Sequence, residues 1–326
     1  MKVLITGGAG FLGARLAREL LQRGNLRGQG IERLVLADLA ETRDAALRED
    51  PRVQMQVGDL LRQIPTLMAQ SFDAVFHLAS AVSAECEADF DLGLRSNLDT
   101  TRALLDACRA QAGQGRAGPL FIFSSSVAVY GSDPALPLPA VVDDRTLPTP
   151  QSSYGIHKFI CEQLVADYTR KGYIDGRVAR LMTVSVRPGR PNGAASSFLS
   201  GIVREPLAGV EAVCPVSPET AVALSSPATT IAGLVAVAEA SREAFGGRTA
   251  LNLPALTVTV QQMLDALREV GGEAALGLIR FEPDAAIARI VGGWPSHFDS
   301  PRARALGLVP DPDFLSVVQQ YVRDDR

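Results

Sequence analysis

Through the first 184 residues, short apolar runs alternate with longer stretches of helical periodicity. Val3–Thr6, Leu34–Ala37, Val53–Val57, Ala74–Leu78, Leu120–Phe123 and Val178–Met182 are of strand length. Most of them stop at glycine, aspartate or serine. Between them, Phe11–Arg23 carries Leu12, Leu16, Leu20 and Leu21 at helical spacing, and Leu98–Ala110 sets Leu104, Leu105 and Cys108 on one side. Ser152–Arg170 has Phe159, Ile160, Leu164, Val165 and Tyr168 as its apolar stripe. A strand that is apolar throughout is covered on both faces, and a helix between two such strands lets them pair in parallel. The pattern predicts an α/β fold built on a doubly wound parallel sheet.

Beyond residue 185 the rhythm changes. Pro188, Pro191, Pro206, Pro215, Pro218 and Pro227 break the chain into short pieces. A helix is predicted over Thr229–Ala244, an apolar run over Leu251–Pro254 and a second helix over Val260–Val270. Ser300-Pro301 before Arg302–Leu306 reads as an N-cap and N1 proline opening a short helix. The expected organisation is a dinucleotide-binding domain of residues 1–184 plus about 222–250, with a smaller mixed α/β substrate lobe of residues 185–221 plus 251–326.

Composition excludes several function classes. With 47% hydrophobic and 21% charged residues the chain can bury a large core, and a net charge of −4 offers no basic excess for nucleic acid or an anionic membrane. No run reaches the roughly 18 apolar residues of a membrane span. Met1–Gly8 lacks the apolar core of a signal peptide, so a cytoplasmic location is expected. Cys86, Cys108, Cys161 and Cys214 are too scattered for a disulfide framework or a zinc site and read as idle buried thiols.

Three motifs carry chemistry. Gly7-Gly8-Ala9-Gly10-Phe11-Leu12-Gly13 joins the first strand to the first helix, with Gly7, Gly10 and Gly13 at Gly-x-x-Gly-x-x-Gly spacing. Such a turn lets the backbone approach a pyrophosphate that sits on the helix N-terminus. Asp38, at the end of the second strand, can accept from ribose hydroxyls and would repel a 2′-phosphate, which favours NAD over NADP. Asp59 ends the third strand within reach of an adenine amino group. The second motif is Tyr154-Gly155-Ile156-His157-Lys158, where Tyr and Lys share a helix face. A phenol is a poor base at neutral pH, and a nearby ammonium lowers its pKa. The third is Ser124-Ser125-Ser126-Val127-Ala128-Val129-Tyr130-Gly131, at the strand end where open α/β sheets present active sites. Taken alone, the second and third are also compatible with a chance pairing and a serine-rich turn.

Together these residues resemble the extended short-chain dehydrogenase/reductases, the NAD-dependent epimerase/dehydratase superfamily with a Rossmann sheet. Gly58-Asp59-Leu60, His77-Leu78-Ala79-Ser80 and Asn97 extend the likeness. The resemblance implies a catalytic set of Ser126, Tyr154 and Lys158, with Ser125 as the fallback serine. Tyr154 would be the acid/base, and Lys158 would bind the nicotinamide ribose and tune Tyr154. It implies cofactor contacts from Phe11, Leu12, Leu60, Leu78, Ala79, Asn97, Ser124 and Met182 besides the glycines, Asp38 and Asp59. It also implies a homodimer through helices flanking the sheet, for which Leu98–Ala110 and Ser152–Arg170 are candidates.

Within the family, Glu87–Gly93, Pro150–Gly155, Val186–Asn192, Ala195–Phe198 and Gly201–Leu207 resemble a group that oxidises sugar acids. The implied reaction is NAD-dependent oxidation of a C2 hydroxyl to the 2-oxo acid. A carboxylate substrate calls for arginine. Arg187 is the first choice, with Arg190 and Arg204 in the same segment, and Ser83, Ser126, Thr183 and Ser197 are candidate hydroxyl partners. A nucleotide-sugar epimerase of the same fold and a non-enzymatic NAD-sensing regulator are the competing readings. No metal site is expected. His157 reads as a surface helix residue, His77 as a packed core residue, and Asp143-Asp144-Arg145 as a solvated loop.

Overall fold

A computed structural model describes residues 1–113, 115, 117–189 and 195–325. The apolar runs form strands β1 (Lys2–Thr6), β2 (Arg33–Asp38), β3 (Val53–Val57), β4 (Ala74–His77), β5 (Leu120–Ser126), β6 (Asp175–Leu181) and β7 (Leu251–Asn252). They make one seven-stranded sheet in the order β3-β2-β1-β4-β5-β6-β7. β1 is parallel to β2 and β4, β2 to β3, and β4 to β5. The strand order reverses between β1 and β4, and at such a switch point the carboxyl ends of the strands open a crevice for a ligand. Gly7 follows β1 there and Leu78-Ala79 follow β4.

The helices are α1 (Phe11–Arg23), α2 (Thr100–Gly113) and α3 (Ser153–Arg170). α1 stops at Gly24, whose φ of 68° only glycine adopts without penalty. A π-helical segment, Leu94–Asp99, leads into α2. Leu104, Leu105 and Cys108 of α2 pack with Phe121 and Phe123 of β5 and with Cys161 and Val165 of α3.

The face that α3 turns inward overlaps the expected stripe only in part. Its buried residues are Gly155, His157, Lys158, Cys161, Glu162 and Val165, while Ile160 is exposed. The expected stripe holds in part, since Val165 is buried and Leu164 and Tyr168 pack against the same core, but the most buried face also carries Lys158, Glu162 and the His157 imidazole, which apolar spacing does not report. His157 is therefore not a surface residue. The short helices Ser83–Ala88 and Phe90–Gly93 pack against α3 and cover it, and the Phe90 ring lies 6.4 Å from its imidazole.

The chain forms two compact units: residues 1–129, 152–180 and 231–251 in the first, and 130–151, 181–230 and 252–326 in the second. This partition differs from the sequence-based one chiefly at Tyr130–Gln151. That segment joins the second unit because Val142 bridges to Phe298 and Tyr130 Oη donates to Asn252 Oδ1 at 3.0 Å. In the second unit, Ala221–Ser225 pairs in parallel with Thr183–Val184 and antiparallel with Leu256–Thr259. Its core gathers Ile202 and Val203 from the helix Phe198–Leu207, Met263 and Leu267 from Val260–Leu276, and Val318 from Phe314–Asp325. The predicted helix over 229–244 is two helices, Pro227–Glu239 and Arg242–Phe245, with Ser241 capping the second. No helix among the described residues is long and apolar enough to cross a membrane.

Candidate active site

The glycine turn is fixed by its own backbone. Gly7 N and Gly8 N donate to Ala37 O at 2.8 and 3.3 Å, and Gly10 N donates to Gly7 O at 3.2 Å. Gly7 has φ +71°, and a Cβ at Gly13 would stand 2.0 Å from Gly7 O, so a side chain there would push the turn off α1. α1 starts without a side-chain cap and without an acidic residue in its first turn. Its N–H groups and positive dipole end therefore have no internal carboxylate partner in that turn, which fits a phosphate. Phe11 and Leu12, half-buried, open the helix.

Asp38, at the end of β2, accepts from Ala9 N at 2.9 Å and from Leu39 N at 2.7 Å. Its carboxylate is thus pinned beside the turn, where a ribose diol would meet it. Asp59 caps the helix Leu60–Met68, accepting from Arg62 N at 3.2 Å, and lies 3.4 Å from Arg95. After β4, Leu78 N donates to Thr6 O at 3.1 Å and Ala79 N to Thr6 Oγ1 at 3.3 Å. This holds Ala79 against Gly7, whose Cβ, if present, would lie 2.9 Å from Ala79 N.

β5 and α3 bring the serines, Tyr154 and Lys158 into the same unit. Lys158 is buried, and its Nζ donates to Ser124 O at 2.8 Å. The same nitrogen lies 4.9 Å from the centroid of the Phe123 ring and 5.5 Å from that of Tyr154. Burial pulls the ammonium down to about 8, with Cys161, Cys86 and Glu162 opposing weakly. A lysine poised there holds its charge near neutral pH beside the Tyr154 ring. Tyr154 is half-buried in the first turn of α3, whose N-terminus is capped by Ser152 Oγ accepting from Gly155 N at 3.1 Å.

The three serines differ. Ser124 Oγ donates to His77 O at 3.0 Å, and Ser125 Oγ donates to Glu162 Oε1 at 2.5 Å, both buried. Ser126 is half-buried, and its Oγ accepts from Ala128 N at 3.1 Å, which leaves its proton to donate elsewhere. His77 joins the strand ends from below: its Nδ1 is 2.6 Å from Thr6 Oγ1 and its Nε2 2.9 Å from Thr101 Oγ1. Thr101 Oγ1 already donates to Asn97 O at 2.5 Å, so Nε2 carries the imidazole proton and Nδ1 accepts from Thr6.

Asn97 is buried in the π-helical segment and acts through the loop after β4. Its Oδ1 accepts from Ser80 Oγ and Ala81 N, and its Nδ2 donates to Ala81 O and Cys86 Sγ. Ser83, half-buried, starts the helix Ser83–Ala88. In the second unit, Met182 is buried, Thr183 is half-buried on its strand, and Ser197 precedes the helix Phe198–Leu207. Arg187 is half-buried, with its backbone N donating to Ser200 Oγ at 3.0 Å and Nη2 reaching Ser196 Oγ at 3.3 Å. Buried Arg204 donates to Arg187 O at 2.7 Å and to Glu205 Oε1 at 2.6 Å, so it supports Arg187. Arg190 and the Pro191-Asn192 part of the same segment lie outside the described residues.

The sequence reading missed Glu162 and Arg180. Arg180 donates from Nε to Glu162 Oε1 at 2.8 Å and from Nη2 to Oε2 at 2.6 Å. Helical spacing carried the signal for Glu162, which lies one turn beyond Lys158. The four cysteines are buried free thiols.

The model of the NAD dependent epimerase/dehydratase family matches residues 3–219. A D-erythronate dehydrogenase of Cupriavidus necator is 51% identical, covering 99% of this chain and 98% of its own length. A D-erythronate dehydrogenase of Haemophilus influenzae is 45% identical, covering 100% of both chains. Among solved structures, a protein of Agrobacterium tumefaciens described as a nucleoside-diphosphate-sugar epimerase superposes with a TM-score of 0.93 at 40% identity, covering 99% of this chain and 94% of that one.

Proposed function

The chain belongs to the NAD dependent epimerase/dehydratase family, and from that premise we propose that it oxidises the C2 hydroxyl of D-erythronate to the 2-oxo acid with NAD as acceptor. The observation that carries the reading is buried Lys158, tied to Ser124 O and set beside the Tyr154 ring. A module that only bound the dinucleotide would have no use for a tyrosine ring set beside that ammonium. The substrate follows from full-length likeness to two D-erythronate dehydrogenases.

The bound nicotinamide supplies the hydride acceptor. Tyr154 Oη takes the proton from the C2 hydroxyl, and Ser126 Oγ donates to that oxygen and holds it in line. Ser126 is favoured over Ser125 because the Ser125 proton is already given to Glu162. The Lys158 ammonium favours the phenolate by Coulombic attraction in a site of low dielectric. Asp38 receives the adenosine ribose hydroxyls and disfavours a 2′-phosphate, so the cofactor is NAD in preference to NADP. Arg187 binds the substrate carboxylate, and Ser83, Thr183 and Ser197 offer hydroxyls to the remaining polyol.

A homodimer through α3 completes the reading. Phe90 is 61% exposed, and Ile156 and Ile160, one turn apart on α3, are 44% and 38% exposed. Burying these apolar groups against a second copy would stabilise the pair.

The test is incubation with NAD and a panel of aldonates while NADH absorbance is followed. Stoichiometric NADH from D-erythronate is expected. Silence with every sugar acid, together with turnover of a nucleotide sugar without net NADH, would replace this reading with the epimerase.

A further inference from the structure

Ser125, Glu162 and Arg180 form a polar group on the buried side of the strand end that precedes Ser126. Both Glu162 oxygens have partners: Oε1 accepts from Ser125 Oγ and Arg180 Nε, and Oε2 accepts from Arg180 Nη2. The carboxylate is 2% exposed and Arg180 is 6% exposed. A dehydrated ion pair is a poor device for stability alone, since apolar residues of similar volume serve as well or better there. What it supplies is direction, because three short charge-assisted hydrogen bonds fix three elements at once.

The elements are the ones that carry the site. Glu162 and Lys158 lie one turn apart on α3 and grip consecutive residues of β5. Lys158 holds the carbonyl of Ser124, and Glu162 holds the hydroxyl of Ser125. A single bond would let the strand end rotate about it. Two bonds at neighbouring residues fix both its height and its rotation against the helix that carries Tyr154. Arg180 sits on β6, the neighbour of β5 in the sheet, and balances the Glu162 charge from the third side.

We propose that Ser125, Glu162 and Arg180 are positioning residues for the reaction: they clamp the end of β5 to α3 and so set Ser126 against Tyr154 and Lys158. The inference rests on the Ser126–Tyr154–Lys158 reading of the site. It assigns no contact with substrate or cofactor to the three residues, so their loss should change kcat and leave binding alone.

Ser125→Ala is the primary test, because it removes one hydroxyl and leaves the Glu162–Arg180 pair intact. Glu162→Gln is the second variant. Erythronate oxidation is measured at saturating NAD, with protiated substrate and with substrate deuterated at C2, and NADH binding is followed by fluorescence. Ser125→Ala should lower kcat about tenfold, since small misplacements of reacting groups are costly. KM and NADH affinity should stay unchanged, the melting temperature should fall by no more than the few degrees that one buried hydrogen bond costs, and the isotope effect on kcat should rise as the chemical step becomes limiting. Tyr154→Phe and Ser126→Ala are run alongside. If these two are inactive while Ser125→Ala keeps its kcat within about twofold of the parent, the clamp is refuted. If Ser125→Ala loses activity together with NADH affinity, the role is structural and the clamp is likewise refuted. Normal turnover by Tyr154→Phe overturns the underlying site reading instead. Should Glu162→Gln fail to fold, Ser125→Ala alone decides.

Discussion

The Lys158 end of the first unit and the Arg187 segment of the second are both polar, yet their hydrogen bonds span different distances along the chain. Around Lys158 the partners are remote: Lys158 to Ser124, Ser124 to His77, His77 to Thr6, and Ser125 to Glu162. Each bond joins two elements of the sheet and its helices. Around Arg187 the partners are near neighbours, Ser196, Ser200, Arg204 and Glu205. A group held by remote partners cannot be moved without moving the fold, whereas a local network can be altered by changing one short segment. The proposed proton-transfer set thus sits on the part of the molecule that resists change, and the candidate for choosing the substrate sits on the part that permits it.

The largest expected effect tests the rigid side. Tyr154→Phe should lower kcat by about 10²–10⁴-fold, the usual range for a general base, while the NADH titration by fluorescence stays unchanged. A parallel loss of NADH binding would mean that the residue holds the turn of α3 and that the contrast is misplaced. The local side should answer differently. Arg187→Ala should raise KM for erythronate by roughly 10- to 100-fold, the loss of a charge-assisted bond to a carboxylate, with kcat changed little. Arg187→Lys should recover only part of it, because a point charge lacks the planar fork. A fall in kcat with KM unchanged would place Arg187 with the reacting groups and erase the distinction.

A third effect, smaller than these, tests whether the glycine turn belongs to the rigid side. Gly13→Ala places a Cβ 2.0 Å from Gly7 O and 2.8 Å from Gly8 Cα, where only backbone can give way. It should destabilise the protein by about 1–3 kcal/mol and weaken NADH binding, leaving the KM for erythronate at saturating NAD near its parent value. Unchanged NADH affinity would remove the turn from the cofactor site.

Residues whose signal is local were legible in the sequence, and those whose signal is remote were not. The strands β1 to β6, α1 and the burial of Leu104, Leu105 and Cys108 follow from apolar spacing, because burial itself produces that pattern, whereas the sequence reading puts β7 in the substrate lobe. α3 is the instructive case, legible only in part. Its inward face holds Lys158, Glu162 and His157, so its hydrophobic pattern is blurred at the face that matters most for the proposed chemistry. Glu162 lies one turn from Lys158 in the sequence, but its role depends on Ser125 and Arg180, one on each of two strands. The cover over His157 comes from the helices Ser83–Ala88 and Phe90–Gly93, too short to leave a periodic signal. Likewise, Tyr130–Gln151 joins the second unit through Asn252 and Phe298, more than a hundred positions away.

The smallest expected effect reaches the base of the rigid side through His77. Burial pushes this imidazole down to about 3, with the Lys158 cation adding to the fall. The folded protein therefore keeps His77 neutral, donating from Nε2 to Thr101 and accepting at Nδ1 from Thr6. In the unfolded chain it protonates near its ordinary value of about 6.5. Below that value the unfolded state binds a proton that the folded state refuses. Stability is then fully present above about pH 6.5 and is lost as pH falls toward about 3, at up to ~1.4 kcal/mol per pH unit. The urea midpoint measured between about pH 6.5 and 5, above the main carboxylate range, should drop accordingly. His77→Gln should lessen that slope whatever its own cost at pH 8, leaving the share of His157, whose imidazole burial also holds below its ordinary value. A slope unchanged by His77→Gln would show that this imidazole takes its proton with the fold intact, and that the strand ends it joins are looser than their remote hydrogen bonds imply.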